Sequence, residues 1–343
     1  MSKTAVVILN YNGEKLLQQF LPGVITHTKQ ARIIVADNGS TDKSIELIKN
    51  QFPSVEIIQL DANYGFCGGY NKALKLVNSE YYVLLNSDVD VTDNWLAPMM
   101  QLLDENPSIV AVQPKILTYH QKDQFEYAGA GGGFIDSWGY PFCRGRMFNY
   151  TEKDTGQYND TREVFWASGA CLFIRSEVYH HLGGLDETFF AHMEEIDLCW
   201  KIHRMGKQVY YCGSSTVFHV GAGTLPRNNP RKTYYNFRNG LSLIYKHLPG
   251  NQLWYKLPIR ILLDFIAALK FILEGHHQDG KAVYRAIRDF LNNKKDLRIE
   301  RQSLLKQFSP SLSQVYQGMV IFDYYLLGRK HISAKKLPPN NPK

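Results

Sequence analysis

The first ninety residues alternate two textures. Short apolar runs at 5–9, 32–36, 55–60 and 81–85 carry little polar alternation, as strands covered on both faces do. Between them, 14–20, 42–50 and 68–77 read as helices. Strand–helix alternation implies right-handed crossovers and a mostly parallel sheet. In such sheets ligands bind beyond the carboxyl ends of the strands. Polar clusters fall at those ends: Asn10-Tyr11-Asn12, Asp37-Asn38-Gly39-Ser40 and Asn86-Ser87-Asp88.

The pattern loosens afterwards. Residues 116–165 are rich in Gly, Tyr and Asp and read as loops and short hairpins on the front of the domain. Then 170–174 reads as a strand, 176–182 as a short helix, and 195–205 as a helix that Gly206 ends. From about Tyr234 onward the chain reads as helical, with apolar stretches at 257–273, 282–291 and 315–327. The expected organisation is a catalytic α/β domain over 1–245, a helical extension over 246–330 and a disordered tail over 331–343.

Charge sharpens this division. The net charge is +7, and residues 256–343 hold 16 Lys and Arg against 7 Asp and Glu. A basic extension on a near-neutral body points to an anionic partner. Its basic residues alternate with Leu, Ile and Phe, which argues against nucleic acid. Stretch 257–273 is too short and too charged to span a bilayer, with Arg260, Asp264 and Lys270 inside it. It suits a helix lying in the membrane interface; the alternatives are packing on the catalytic domain or a homodimer contact. Five cysteines without a C-x-x-C pair exclude a disulfide framework and a zinc ribbon. The N-terminus lacks the regions of a signal peptide, so the expected location is cytoplasmic, peripheral on the inner face of the membrane.

Several residues carry chemistry. Asp88-Val89-Asp90 follows a buried strand, and two carboxylates there can share one Mg²⁺ or Mn²⁺ that clamps a nucleotide-sugar diphosphate. Asp37 lies too early to cap the helix beginning near Asp42, which leaves its carboxylate for the imide N–H of a pyrimidine base; Tyr11 can stack on that base. The stretch from Asn63 through Gly65 to Asn71 is a glycine-rich loop entering a helix, a setting that favours diphosphate. Glu194, Glu195 and Asp197 crowd a helix start behind aromatic residues, where a partly desolvated carboxylate can act as a base. His219 follows a strand and precedes a Gly loop, consistent with metal ligation; Arg227, Arg231 and Lys232 follow it and can meet a leaving diphosphate.

These motifs, in this order over residues 3–245, resemble the family 2 glycosyltransferases with a GT-A fold. The matching pieces include Val7 to Asn12, Asp37 to Asp42, Asn63 to Asn71, Asn86 to Asp90, Trp166-Ala167-Ser168-Gly169-Ala170, Gly184 to Glu187 and Glu194 to Leu198. The resemblance implies an inverting transferase that uses a UDP- or dTDP-linked donor and Mn²⁺ or Mg²⁺. Asn10, Tyr11, Asp37, Asn63, Gly65, Asn71, Asp88 and Trp166 would bind the donor. Asp88 would contact ribose or metal-bound water, Asp90 would ligate the metal, and His219 would add a further ligand. The family's base lies in a Glu-Asp pair; here the pair is Glu194-Glu195, which puts Glu195 in the base position with Glu194 in reserve. The loop at Asn63 is most similar to bacterial rhamnosyltransferases of cell-surface polysaccharide or glycolipid assembly, which implies a lipid-linked or saccharide acceptor. Two rivals remain. A sugar-phosphate nucleotidyltransferase would need a basic Gly-rich loop after the first strand, where Asn10-Tyr11-Asn12-Gly13 stands. A non-catalytic sugar- or lipid-binding scaffold would not need the acidic set with His219.

Overall fold

The computed structural model describes residues 2–127, 129–221, 229–307 and 314–340. The apolar runs form β1 (Thr4–Asn10), β2 (Arg32–Asp37), β3 (Glu56–Gln59) and β4 (Tyr81–Asn86), joined by α1 (Glu14–His27), α2 (Ser44–Gln51) and α3 (Gly65–Leu74). β1 lies between β2 and β4, parallel to both, with Asn10 beside Asp37 and Leu9 beside Asn86. That register brings the three polar clusters to one edge of the sheet.

The chain continues through β5 (Val89–Val91), α4 (Ala97–Glu105) and β6 (Ile109–Thr118). It then forms β7 (Gly133–Asp136), β8 (Pro141–Cys143), β9 (Arg146–Met147), β10 (Tyr150–Thr151) and β11 (Thr161–Val164). β12 (Cys171–Arg175), α5 (Ser176–His181), α6 (Glu194–Arg204) and β13 (Gln208–His219) complete the main sheet, whose order is β11-β13-β6-β12-β4-β1-β2-β3 with β5 paired to β13. β6 is a central strand, and its last residues, 116–118, fall in the segment read as loop. Gln113 and Lys115 disguise it: both are buried, Lys115 against Asp154 at 2.7 Å and Gln113 against the backbone of Gly129 and Ser168.

The C-terminal part supplies α7 (Pro230–His247), α8 (Gly250–Leu273), α9 (His277–Asn292), α10 (Lys294–Gln307), β14 (Val315–Tyr316) and α11 (Val320–Tyr325). α7 runs through the boundary expected at 245–246. The hydrophobic cluster that holds Val7 and Leu84 also holds Leu257, Val283, Phe290 and Val320, so extension and sheet share one core. Stretch 315–327, read as one apolar helical run, is instead β14, which extends the sheet β10-β9-β8-β7, followed by α11. The tail read as disordered is ordered over its described part, 331–340. Leu337 is buried, Arg162 donates to the Pro338 carbonyl at 2.8 Å, and Asn340 accepts from the Glu163 N–H at 3.1 Å. The physical reason is that β11 is an edge strand whose polar groups need partners.

Candidate active site

At the carboxyl edge of β1 and β2 the polar residues hold one another. Asn10 donates to Asp37 Oδ1 at 3.0 Å, and Asp37 Oδ2 accepts the Ser40 N–H at 3.0 Å. Asp37 is buried, so its carboxylate braces this edge, while Tyr11 stands beside it half exposed. Asn38 ties the edge to the glycine loop. It donates to Asn63 Oδ1 and the Gly65 carbonyl, and accepts from the Tyr64 N–H. Gly65 has φ +68°, which a glycine adopts without strain, and a side chain there would meet the Phe190 ring.

Two residues expected at the donor turn inward. All four hydrogen-bonding positions of Asn71 are used by Tyr179, Leu185 and Glu187, joining α3 to the segment before α6. Trp166 is buried and donates to the Phe134 carbonyl.

The D-x-D divides. Asp88 is buried with Oδ1 3.1 Å from His219 Nε2, and His219 Nδ1 lies 3.7 Å from Glu126. Burial pulls His219 down, but the hydrogen bonds and charges of Asp88 and Glu126 outweigh it and lift the imidazole to about 10. Asp90 goes elsewhere. In the β5–β13 pair it stands opposite Phe218, while His219 stands opposite Val89. Facing residues share a side and successive residues alternate, so Asp90 and His219 point to opposite faces. Asp90 instead meets Lys122 at 3.3 Å. The sequence pattern could not reveal this, because the partner strand lies far along the chain.

The acidic helix start is built with strain. Phe190, His192 and Met193 all have positive φ, and none is glycine. Asn239 of α7 holds this turn, donating to the carbonyls of Phe189, Ala191 and His192 at 2.7–3.0 Å. Arg238 adds bonds to Thr188 and Phe189. Strained backbone of this kind persists only when its surroundings over-determine it. α6 then begins with Glu194 buried and Glu195 partly exposed. Desolvation raises Glu195 to about 7; desolvation and then the Glu195 charge push Glu194 up as well. A side chain at Gly169 would point at Phe66 and at Glu195, 3.9 Å from its Cβ. The next residue, Ala170, accepts from the Asn86 N–H at 3.0 Å, so the base of the Glu195 side chain starts close to the end of β4, the strand that leads to Asp88.

Asp197 does not join this cleft. Burial alone would raise it, but Lys201, Lys246 and His247 hold it far below the usual carboxylate range. Among the described residues, the one group of three ligand-type side chains with atoms within 4.8 Å is Asp186, Asp197 and Glu300. The Lys246 ammonium fills its centre, 2.8 Å from Asp197 and 2.6 Å from Glu300, so this cluster is an ion-pair network that fixes α6 to α7 and α10. Arg231 lies over the rings of Phe190 and Tyr235, and Lys232 over Tyr127, on the Phe190 side of the cleft. Arg227 lies outside the described residues. Sequence reasoning gave no role to Asn38, although it stands in the Asp37 to Asp42 motif, and missed Glu126, Asn239 and Lys246, none of which stands in a recognisable motif.

The glycosyl transferase family 2 model matches residues 5–183. A Mycobacterium tuberculosis N-acetylglucosaminyl-diphospho-decaprenol L-rhamnosyltransferase is 23% identical over 284 residues, covering 77% of this chain and 90% of that protein. A low-salt glycan biosynthesis hexosyltransferase of Haloferax volcanii is 23% identical, covering 68% of this chain and 73% of the relative. Among solved structures, GalNAc-T7 with UDP, GalNAc and Mn²⁺ superposes with a TM-score of 0.55 at 18% identity, covering 71% of this chain and 48% of that one, about half its length. A Pyrobaculum calidifontis mannosyltransferase in complex with GDP-Man and Mn²⁺ gives 0.51 at 14% identity, over 88% and 85%. These likenesses establish a GT-A fold. With a family match spanning more than half of its length, laid over a sheet edge built as described, the chain belongs to glycosyl transferase family 2.

Proposed function

We propose that this glycosyltransferase moves a sugar, with inversion, from a nucleoside diphosphate donor to an acceptor hydroxyl, and that Glu195 is its base. One observation supports the reading: Glu195, raised to about 7, starts beside Gly169, whose neighbour Ala170 is hydrogen-bonded to Asn86 at the end of β4, the strand that leads to Asp88. The M. tuberculosis relative is named for L-rhamnosyl transfer to a diphospho-decaprenol-linked sugar. That supports a deoxyhexose or hexose as the sugar and a lipid-linked or saccharide acceptor in bacterial cell-surface polysaccharide or glycolipid assembly; the nucleotide of our reading is UDP or dTDP. The proposed workplace is the inner face of the cytoplasmic membrane.

The residues present fit a divalent metal, Mn²⁺ or Mg²⁺. Asp88 Oδ1 and His219 Nε2 are 3.1 Å apart, close to the roughly 3 Å between adjacent ligands of an octahedral ion with bonds near 2.1 Å. Two carboxylates flank the buried His219 ring, Asp88 at Nε2 and Glu126 at Nδ1, so the site favours positive charge. Asp88 and His219 would hold the ion, and Asp90 would not. When bound, such an ion offsets charge building on the leaving diphosphate.

The chain's own residues do the rest. Tyr11 stacks on the base, and Asp37 fixes Asn10 and the Ser40 turn beside it. Glu195 takes the proton of the acceptor hydroxyl. The oxygen attacks the anomeric carbon on the face opposite the diphosphate, whose bond to that carbon breaks, and the nucleoside diphosphate departs. Arg231 and Lys232, which follow His219 in the chain, would meet the leaving diphosphate. Purified protein with a panel of nucleotide-sugars and Mn²⁺ or Mg²⁺ tests the reading. Slow release of nucleoside diphosphate from one donor is expected. Pyrophosphate release would identify a nucleotidyltransferase, and turnover of no donor would favour a binding scaffold.

A further inference from the structure

α8 is amphipathic in the wrong sense for a helix facing water. Its buried positions are Lys256, Leu257, Arg260, Asp264 and Ala268, three of the five charged. Inside, Arg260 pairs with Asp264 at 3.1 Å and lies over the Tyr140 ring, and Lys256 donates to the Ser137 carbonyl. Its outer positions are Leu262, Phe265, Ile266, Leu269 and Leu273, spaced three to four apart on one stripe, with Leu262 59% and Leu273 79% exposed. A helix bordering water does the opposite. At 24 residues it is about 36 Å long.

The stripe does not end with α8. Lys270 Nζ lies 4.6 Å from the Tyr325 ring, which brings α11 alongside and adds exposed Tyr325 and Leu326. Trp254, 74% exposed, stands near the other end. A continuous apolar surface on this scale marks an interaction site.

We propose that the α8–α11 ridge docks on an anionic lipid surface, lying in the interface without crossing it. Among the described residues no helix is long and apolar enough to cross a membrane. Charge decides between lipid and a second copy. Residues 256–343 carry 16 Lys and Arg against 7 Asp and Glu, and Lys270, Lys330, Lys335 and Lys336 are exposed. Two copies meeting through this ridge would bring the two excesses together, whereas anionic headgroups neutralise them. Long cationic side chains beside apolar ones can lay their stems along the ridge and reach headgroups. Trp and Tyr suit the same boundary.

The placement serves the proposed reaction. A side chain at Gly240 would lie 3.0 Å from Arg260 of α8, and the preceding residue, Asn239, clamps the turn before Glu195. Docking through α8 therefore seats the backing of the base against the surface where a lipid-linked acceptor would be presented. That purpose rests on the proposed function, but the docking itself needs no nucleotide-sugar.

Flotation of the full chain tests it, using phosphatidylcholine vesicles with and without phosphatidylglycerol at low and high salt, alongside light scattering for oligomeric state. The expected result is a monomer that floats with the phosphatidylglycerol vesicles and at least tenfold less without the anionic lipid. High salt should weaken the binding. The double variant Ile266→Glu/Leu269→Glu should lose flotation at least tenfold while keeping its circular dichroism melt and its donor hydrolysis. A full chain that ignores anionic vesicles at low salt overturns the proposal. So does a dimer that the double variant converts to monomer, which would assign the ridge to a second copy. Failure of flotation with donor hydrolysis intact would leave the transferase reading standing, and the reverse result would leave the docking standing.

Discussion

A carboxylate can take a proton from a sugar hydroxyl only when it is ionised and not too stable as an anion. Glu195 meets both needs because desolvation lifts it to about 7. Activity should follow its ionised form. The wild-type kcat/KM is expected to rise with pH and reach half its plateau near 7. Glu195→Gln should flatten the profile and lower turnover by roughly 10²–10⁴-fold, with nucleoside diphosphate affinity unchanged by calorimetry. Stability runs the other way. The folded state holds this proton more tightly than the unfolded chain, so the group favours folding at low pH and the contribution is lost as pH rises through 7. Glu195→Gln should therefore melt above wild type at pH 8 and level with it at pH 4. A larger loss of turnover in Glu194→Gln would move the assignment by one residue. The two aspartates of the D-x-D separate at the same scale. Asp88 touches His219, whereas Asp90 faces the other side and meets Lys122. Asp88→Asn should weaken Mn²⁺-dependent binding of nucleoside diphosphate by about tenfold or more. Asp90→Asn should change it less than about threefold, since a half-exposed ion pair contributes little. Equal losses would defeat the strand-alternation argument.

α7 works on α6 through one side chain. Asn239 spreads its amide over three carbonyls of the turn that aims Glu195, and that turn holds three non-glycine residues at positive φ. Asn239→Ala should let the turn relax. Stability should fall by about 1–3 kcal/mol. The more telling readout is kinetic: kcat down tenfold or more, donor KM within twofold, and the pH midpoint moved below 7 as water reaches Glu195. A purely structural role would lower the melting temperature and leave the midpoint where it was. None of this was legible in the sequence, since Arg238-Asn239 reads as any polar pair on a helix. What was legible follows from local rules. Apolar runs announced β1, β2 and β4, and their shared register put the polar clusters on one edge; β3, Glu56–Gln59, is polar and exposed at both ends as an edge strand is. Gly206, with φ +71°, ends α6 as expected. Tertiary pairing hid the rest. β6 carries buried Gln113 and Lys115, each satisfied by a distant partner. α8 begins at Gly250, ahead of the apolar stretch read at 257–273, and runs through Pro258. Asn71 and Trp166 look like ligand residues by type, but their polar atoms are consumed inside the fold.

At the scale of the whole molecule, the basic helical extension is part of the fold, and its removal should show this. A chain stopped after Tyr255 loses the charges that α8 buries against the domain: Lys256 on Ser137, and Arg260 with Asp264 beside Tyr140. It loses β14, which completes the edge of β7, and the Val320 N–H that Asp136 accepts at 2.9 Å. Desolvation raises Asp136 to about 6 even with three backbone donors in place, so withdrawing one leaves a buried carboxyl short of partners. α10 goes as well, and with it Glu300 from the Lys246 ammonium and Arg301 from the Tyr245 carbonyl. Burial pulls Lys246 down, and Asp197, Asp186 and Glu300 together hold it charged. Removing one partner of a buried ion network typically costs about 3–5 kcal/mol. That is a large share of the roughly 5–15 kcal/mol that keeps a domain folded. The severed core adds Val283, Ile287 and Phe290, which belong to the cluster of Val7 and Leu84. The fragment 1–255 should thus aggregate or show no cooperative melt, and should bind no nucleoside diphosphate. A chain stopped after Lys330 loses the Leu337 and Ile332 contacts, the Pro339 carbonyl that accepts from Gln314 and the β11 hydrogen bonds, but none of the ion network, and should melt cooperatively a few degrees lower. A soluble 1–255 fragment that melts cooperatively and binds nucleoside diphosphate would show instead that the extension is a separable appendage.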